Sequence, residues 1–117
     1  MNYDDSNIFA RVLRREIPAE ILHEDEFCMA FADIAPQAPV HFLVIPKRPI
    51  ARLADATADD KVVLGHLLLV AQEVSKTLGV CEEGFRVVIN SGERASQTVF
   101  HLHVHVLAGR DMRWPPG

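Results

Sequence analysis

The chain has 117 residues, of which 49% are hydrophobic and 24% are charged, a balance typical of one globular domain that can bury a core. Its formal net charge of −4 argues against a nucleic-acid polymer as its partner. The sequence shows no recognisable secretory signal or bilayer-spanning segment, so we expect a cytoplasmic, non-membrane protein. Its two cysteines lack CxxC spacing, and we expect both to be free thiols. We expect a single domain over 1–117.

The first third of the chain predicts one short helix and two short strands. Apolar residues at helical spacing indicate a helix over 8–15, with Asp5 and Ser6 as candidate caps. The segments 21–24 and 27–31 then have the composition of strands around a tight turn.

The middle of the chain predicts a buried strand and a long helix. The nearly continuous apolar run 40–45 is typical of a buried strand, which Pro46 ends. The long helix spans 57–78, and Thr57 opens a sequence that resembles a capping box, with Gly79 as a natural stop. Its apolar residues cover more than one face, so we expect a twofold contact with a second copy; the alternative is a helix buried within one domain.

The last third of the chain predicts two more strands, 85–89 and 99–107, with a polar turn between them and a tail rich in glycine and proline after them. Strands in adjacent pairs with only two helices indicate an α+β fold. We therefore predict a mainly antiparallel five-stranded sheet with two helices.

Three histidines alternate in the last predicted strand: His101, His103 and His105. Successive side chains of a strand point to opposite faces, so the apolar residues between them enter the core while the three imidazoles share the other face. His41 lies on another strand that could pair nearby. We assign the two remaining histidines, His23 and His66, to surface or interface roles.

A metal site is one interpretation of this pattern, because His-x-His on a strand can chelate zinc. The outer two histidines, however, would lie about 13 Å apart at their backbones, so all three could meet one ion only in a geometry far from tetrahedral. Two of them together with His41 remain an open alternative, and a structural zinc that uses Cys28 is less favoured. We expect no cofactor and no metal.

Nucleophilic catalysis fits the pattern better. A neutral imidazole is a good nucleophile near neutral pH when an acceptor fixes its second nitrogen. His103, the middle histidine, has a neighbour on each side. The turn before the strand also brings Asn90, Gln97, Thr98 and backbone amides toward a phosphate. The turn and the triad together predict phosphoryl-group chemistry.

The run His-x-His-x-His followed by two apolar residues resembles the signature of the histidine triad (HIT) superfamily. Residues 31–47, 8–18 and 109–117 resemble its nucleotide-binding branch almost position for position. The resemblance implies the histidine triad fold and a homodimer in which two sheets join into one. It also implies hydrolysis of purine nucleoside phosphoramidates to a nucleoside monophosphate and an amine, without a metal.

The same resemblance implies roles for individual residues. His103 would attack the α-phosphorus and become nucleotidylated, His105 and Thr98 would contact the phosphate and leaving group, and His101 and His41 would fix the imidazole network. The other implied nucleotide contacts are Asn90, Ser96 and Gln97 near the phosphate, Asp33 at the ribose, Ile8, Phe9, Phe31, Ile34 and Leu43 at the base, and Trp114, which reaches toward the partner subunit's site.

Two residues depart from the family pattern, because Ser96 and Ala108 stand where the family usually has glycine. A side chain at Ser96 could alter the backbone angles beside the phosphate or crowd the ligand. Three other functions stay open: a dinucleoside polyphosphate hydrolase of the same superfamily, a nucleotide-binding regulator with incidental catalysis, and a metal-dependent hydrolase.

Overall fold

The computed structural model describes all residues from 1 to 117. The helices are α1 (Ile8–Leu13) and α2 (Lys61–Thr77), and the strands are β1 (Ile21–Glu24), β2 (Cys28–Ala32), β3 (Val40–Pro46), β4 (Phe85–Val88) and β5 (Val104–Ala108). Short 3-10 turns occupy Leu53–Asp55, Ala58–Asp60 and Glu93–Ala95. Neither helix combines the length and apolar content needed to cross a bilayer.

The five strands form one sheet in the order β1-β2-β3-β5-β4, and every neighbouring pair is antiparallel. The predicted α+β fold with a five-stranded antiparallel sheet and two helices is therefore confirmed. β3 lies in the middle of the sheet and is buried along almost its whole length, as its continuous apolar run predicts.

Each face of the sheet carries its own apolar core. α2 covers one face, where Leu67 and Val70 pack in the larger cluster of buried side chains. α1 covers the other face, where Phe9 and Val12 pack in the smaller cluster. The sheet thus separates an α1 side from an α2 side.

The first helix is shorter than predicted and has a different cap. α1 ends at Leu13, and its cap is Asn7, not Asp5 or Ser6. The side-chain oxygen of Asn7 accepts a hydrogen bond from the backbone N–H of Ala10 at 2.9 Å, which satisfies one of the free donors of the first turn.

The long helix begins later than predicted and remains partly uncovered, because α2 starts at Lys61 and a 3-10 turn occupies Ala58–Asp60. The predicted capping box is present, but it caps this 3-10 turn. Oγ1 of Thr57 accepts from the N–H of Asp59 at 3.3 Å, and Oδ2 of Asp60 accepts from the N–H of Thr57 at 2.9 Å. On the helix that follows, Val62, Leu68 and Leu69 are 78%, 48% and 64% exposed. The apolar surface of α2 is therefore wider than this chain alone covers.

The last strand is shorter than predicted, because β5 begins only at Val104. Pro46, at the end of β3, has no N–H to donate to the ladder, and its carbonyl accepts from the His101 ring at 2.8 Å. The N–H of Leu102 donates instead to the Ile50 carbonyl at 2.7 Å. Two of the three triad histidines consequently precede the strand, on an irregular segment.

Candidate active site

A cavity of about 330 Å³ opens on the α1 side of the sheet, next to the turn that precedes β5. Most of the predicted site residues line it: His103, His105, Asp33, Ile34, Asn90, Ser96, Thr98, Ile8, Phe9, Phe31 and Leu43. Four do not: His41, His101, Gln97 and Trp114. The sequence did not identify six further residues that line the cavity, because nothing in it marks them beyond their place in or beside a helix or strand. These residues are Val12, Ile17, Pro18, Ala19, Ala32 and Val99.

His103 has one ring nitrogen tied to the backbone and the other open to the cavity. Its Nδ1 lies 2.7 Å from the carbonyl oxygen of His101. Because a carbonyl only accepts, Nδ1 carries the proton and Nε2 carries the lone pair. Nε2 makes no hydrogen bond within the protein. Every buried side-chain nitrogen of the chain does make one, so Nε2 of His103 must be accessible to solvent. The ring of Phe9 packs edge-on against it, with centroids 4.8 Å apart. This is the arrangement that a nucleophilic imidazole requires.

His101 does not line the cavity and is only 1% exposed. Its Nε2 donates to the Pro46 carbonyl, so its Nδ1 accepts from the Tyr3 hydroxyl at 2.6 Å. The side-chain amide of Asn7 donates to the same hydroxyl at 3.0 Å. Of the three imidazoles that the sequence places on one face, only His103 and His105 line the cavity, and His101 is buried beside them.

The apolar residues between the histidines do enter the core on the α2 side, as predicted. Each of them is at most 1% exposed: Leu102, Val104 and Val106. The roles of Tyr3 and Asn7 were missed, because neither residue belongs to a periodic pattern or a motif.

His105 belongs to a chain of hydrogen bonds that starts at a backbone amide. Nδ1 of His41 accepts from the N–H of Gln37 at 3.0 Å, so its Nε2 carries the proton and donates to Nδ1 of His105 at 2.9 Å. His105 therefore keeps its own proton on Nε2, as a donor beside the cavity. A carboxylate oxygen of Asp33 lies 3.4 Å from Nε2 of His41. The three side chains Asp33, His41 and His105 also place their ligand atoms within 4.8 Å of one another, close enough to hold a metal ion.

Burial keeps these imidazoles uncharged at neutral pH. It lowers the pKa of His103 below the ordinary value of 6.5, although the hydrogen bond to the His101 carbonyl acts in the opposite direction. Burial, helped by the neighbouring imidazoles, lowers the pKa of His105 to about 4. Burial also lowers the pKa of His101 to about 4 and lowers that of His41. The lone pair of His103 is therefore available without prior deprotonation.

Gln97 stabilises the turn that contains Ser96 and Thr98 through side-chain hydrogen bonds to the backbone. Its side chain is buried, accepts from the N–H of Gly92 at 2.8 Å and donates to the Ala51 carbonyl at 2.9 Å. Ser96 has a φ of 66°, in the left-handed region that glycine adopts without strain. The backbone thus keeps a glycine-like conformation here although the residue is serine.

Trp114 lies outside the cavity of its own chain. Its side chain is 82% exposed, and the guanidinium carbon of Arg86 lies 5.9 Å from its ring centroid, a cation–π contact. Within one chain, the tail therefore contributes nothing to the cavity wall.

Comparisons with known proteins agree on one family. The HIT domain family matches residues 14–112. A 14 kDa zinc-binding protein of Zea mays is 47% identical over 97% of this chain and 90% of its own length. A HIT family hydrolase from Legionella pneumophila Philadelphia 1 has a TM-score of 0.93 and 42% identity, covering 95% of this chain and 99% of that chain. A histidine triad nucleotide-binding protein from Candida albicans has a TM-score of 0.79 and 32% identity, covering 93% and 82%.

Proposed function

We propose that this chain, which belongs to the histidine triad (HIT) family, hydrolyses the P–N bond of AMP- or GMP-type purine nucleoside phosphoramidates. The observation that carries the proposal is the imidazole of His103, whose Nδ1 is held by a carbonyl at 2.7 Å while its uncharged Nε2 is open at the cavity. The Legionella neighbour is a hydrolase and the Candida neighbour is a nucleotide-binding protein, which supports the reaction class and the ligand class.

In the first step, the Nε2 lone pair of His103 attacks the α-phosphorus. The P–N bond breaks, the amine leaves with the electron pair and takes up a proton, and a nucleotidyl-histidine forms. Because Nδ1 keeps its proton, the imidazole becomes cationic, and the His101 carbonyl beside it stabilises that charge. The Nε2–H of His105 donates a hydrogen bond to a phosphate oxygen or to the departing nitrogen.

In the second step, water attacks the phosphorus, releases the nucleoside monophosphate and restores neutral His103. Thr98 and Asn90, which line the same cavity, act as further hydrogen-bonding groups for phosphate oxygens. We assign no cofactor and no metal to either step.

The remaining cavity wall suits a nucleoside. Its volume of about 330 Å³ lies in the range of small-molecule sites. The aromatic and aliphatic side chains of Phe9, Phe31 and Leu43 form an apolar wall for the base. One carboxylate oxygen of Asp33 is held by the N–H of Ala35 at 2.8 Å, which orients the group so that its other oxygen can accept from ribose hydroxyls.

We further propose that the active form is a cytoplasmic homodimer with one continuous sheet. β4 is an edge strand, and exposed apolar residues of α2 remain uncovered in the single chain. A second copy would cover both, and the exposed Trp114 of one chain would then lie within reach of the partner's site. Two unpaired cysteines, Cys28 and Cys81, are consistent with a reducing compartment.

A metal-dependent hydrolase is the second candidate. The maize relative is named a zinc-binding protein, and Asp33, His41 and His105 could supply three ligand atoms beside the nucleophile. The two candidates differ in one observable, since a metal-dependent reaction stops when a chelator is present.

The test is hydrolysis of an adenosine phosphoramidate by wild-type protein and by His103→Ala, with EDTA throughout. We expect robust wild-type turnover and a loss of several orders of magnitude in the variant. His23→Gln, which changes a histidine far from the cavity, is the matched control and should retain wild-type turnover. Rapid quenching and mass spectrometry should detect a nucleotidylated wild-type chain and no adduct on His103→Ala.

Each alternative has its own outcome. Turnover that EDTA abolishes and zinc restores would replace the proposal by the metal-dependent mechanism. AMP binding without turnover of any phosphoramidate would contradict the proposed phosphoramidase activity. If that chain cleaved a dinucleoside polyphosphate, it would be the P–O–P hydrolase. If it did not, the nucleotide-binding regulator would be indicated.

A further inference from the structure

A second cluster of chemically active side chains lies on the α2 side of the sheet, away from the cavity. It joins His23 of β1, Asp25 of the β1–β2 turn, Cys28 of β2 and His66 of α2. One carboxylate oxygen of Asp25, Oδ2, lies 2.7 Å from Nε2 of His23 and 2.7 Å from Nε2 of His66. The same oxygen lies 3.6 Å from Sγ of Cys28. Two nitrogens and one sulfur thus surround a single carboxylate oxygen, and the ligand atoms of His23, Asp25 and Cys28 all lie within 4.8 Å of one another.

The carboxylate at the centre of the cluster is held in place by the backbone. Oδ1 of Asp25 accepts from the N–H groups of Phe27 and Cys28 at 2.8 and 3.0 Å. The turn therefore orients Asp25 so that only Oδ2 faces the other three side chains. None of the four residues lines the nucleotide cavity, so nothing in the proposed reaction accounts for their convergence.

The donor set suits zinc, and the oxygen–sulfur spacing matches a tetrahedral site. Bond lengths of about 2.0–2.1 Å to nitrogen or oxygen and about 2.3 Å to sulfur imply an oxygen–sulfur separation of about 3.5 Å and a nitrogen–oxygen separation of about 3.3 Å. The observed oxygen–sulfur distance is 3.6 Å. The two imidazoles, at 2.7 Å from the carboxylate oxygen, would have to withdraw by about 0.6 Å. His66, which lies outside the group of ligand atoms within 4.8 Å of one another, must also turn toward the other ligands. Side chains that are 27% and 31% exposed have room for both changes.

We propose that His23, Asp25, Cys28 and His66 bind one zinc ion, which connects helix α2 to the β1–β2 hairpin. Binding releases the thiol proton of Cys28 to solvent, and each imidazole moves its proton from Nε2 to Nδ1. The ligand set then carries two negative charges, from the thiolate and the carboxylate, which balance the charge of Zn²⁺. With four protein ligands the site is closed, so the metal has a structural role and takes no part in nucleotide hydrolysis.

The cluster revises what the sequence alone indicated for these residues. The sequence assigns His23 and His66 to surface or interface roles and gives a zinc site at Cys28 little support. It does not show that Asp25 and His66, 41 positions apart along the chain, are in contact. Only the packing of α2 against the hairpin brings the fourth ligand to the other three.

The binding test uses the full chain, freed of metal by EDTA and exchanged into chelator-free buffer, with Zn²⁺ alone as the titrant. We expect wild type to bind a single equivalent and its Tm to rise by about 5 °C or more at saturating zinc. His23→Gln and His66→Gln should each weaken binding by at least about 100-fold and remove most of the Tm shift. Both substitutions are at partly exposed positions, so the variants should fold, which circular dichroism checks.

Cobalt(II) and one cavity variant identify the ligands. In a Cys81→Ser background, Co²⁺ should produce a thiolate-to-metal charge-transfer band that disappears in Cys28→Ser. His105→Gln, which disrupts the only other candidate metal cluster, should bind zinc as wild type does. The proposal is overturned if wild type binds no zinc, or if binding survives His23→Gln and His66→Gln but is lost in His105→Gln.

Discussion

Tyr3 links the N-terminal segment to His103 through a short series of hydrogen bonds. Its hydroxyl accepts from Asn7, the residue that caps α1, and donates to Nδ1 of His101. The carbonyl of His101 in turn accepts from Nδ1 of His103. The position of the His103 ring, the proposed nucleophile, therefore depends on a tyrosine that does not itself line the cavity.

We predict that Tyr3→Phe impairs both stability and catalysis. The substitution leaves the buried Nδ1 of His101 without a donor, which should lower the free energy of unfolding by about 1–3 kcal/mol. A less well held imidazole should lower kcat by about tenfold with little change in KM. Urea unfolding and steady-state hydrolysis of an adenosine phosphoramidate measure the two effects.

Ser91→Ala is the matched control for this prediction. The Ser91 hydroxyl also makes one hydrogen bond, to the N–H of Ala54 at 3.1 Å, but in an exposed position. Its removal should change the free energy of unfolding by no more than about 0.5 kcal/mol and leave kcat unaltered. Equal behaviour of the two variants would mean that the Tyr3 hydroxyl does not position the triad.

At the scale of secondary structure, the type of each element was predictable and some boundaries were not. Alternation of apolar residues and histidines identified β5, but its start depends on Pro46 and Ile50, which are remote in sequence. Local patterns carry no information about such contacts. The capping box was predictable because both of its residues lie within one turn, although it caps the 3-10 turn at Ala58–Asp60 and α2 begins only after it.

The candidate site was predictable to the extent that a motif covers it. The histidine triad motif indicated His103, His105 and most of the cavity wall. Tyr3 was not predictable, since 98 positions separate it from its partner His101. The burial of His101 was not predictable either, because its partners Tyr3 and Pro46 are remote in sequence.

The exposed leucines of helix α2 lead to a prediction about dimer formation. Leu68 and Leu69 are 48% and 64% exposed, and burying two leucines from each chain would stabilise a dimer by several kcal/mol, at about 1.5–3 kcal/mol for each fully buried side chain. We expect wild type to sediment as a dimer, and the double variant Leu68→Glu/Leu69→Glu to raise the dimer dissociation constant by at least about 100-fold. Analytical ultracentrifugation measures both.

The control for assembly lies at the opposite edge of the sheet. Ile21 of β1 is 39% exposed, and β1 and β4 are the two edge strands. Ile21→Glu should leave the dimer intact. A monomeric wild-type chain, or equal dissociation of both variants, would show that the exposed face of α2 is not the contact.

At the scale of the whole molecule, folding places four imidazoles in surroundings that disfavour their charge. His41, His101, His103 and His105 all have pKa values lowered by burial. In the unfolded chain the same groups titrate in water at ordinary values. Unfolding must therefore be accompanied by proton uptake at mildly acidic pH.

We predict that stability declines with acidity before the carboxylates titrate. The pKa of His101 is about 4 in the folded chain and about 6.5 when unfolded, so between these values only the unfolded chain is protonated there. The contribution of neutral His101 to the free energy of unfolding is complete above about pH 6.5 and falls as the pH decreases. It is lost near pH 4, which amounts to a change of about 3 kcal/mol. Urea midpoints from pH 7.5 to 4.5, with EDTA present to remove any metal, should fall steadily. A flat profile would contradict the buried, neutral state of these rings.

The C-terminal tail, residues 109–117, also determines what intrinsic tryptophan fluorescence can report about this protein. The chain contains a single tryptophan, Trp114, which is exposed and belongs to neither apolar core. Its emission in an isolated chain should resemble that of free indole in water and change little when the cores melt. A blue shift at constant ellipticity would consequently report that another molecule has covered the C-terminal segment, so intrinsic fluorescence serves here as an indicator of association and not of unfolding.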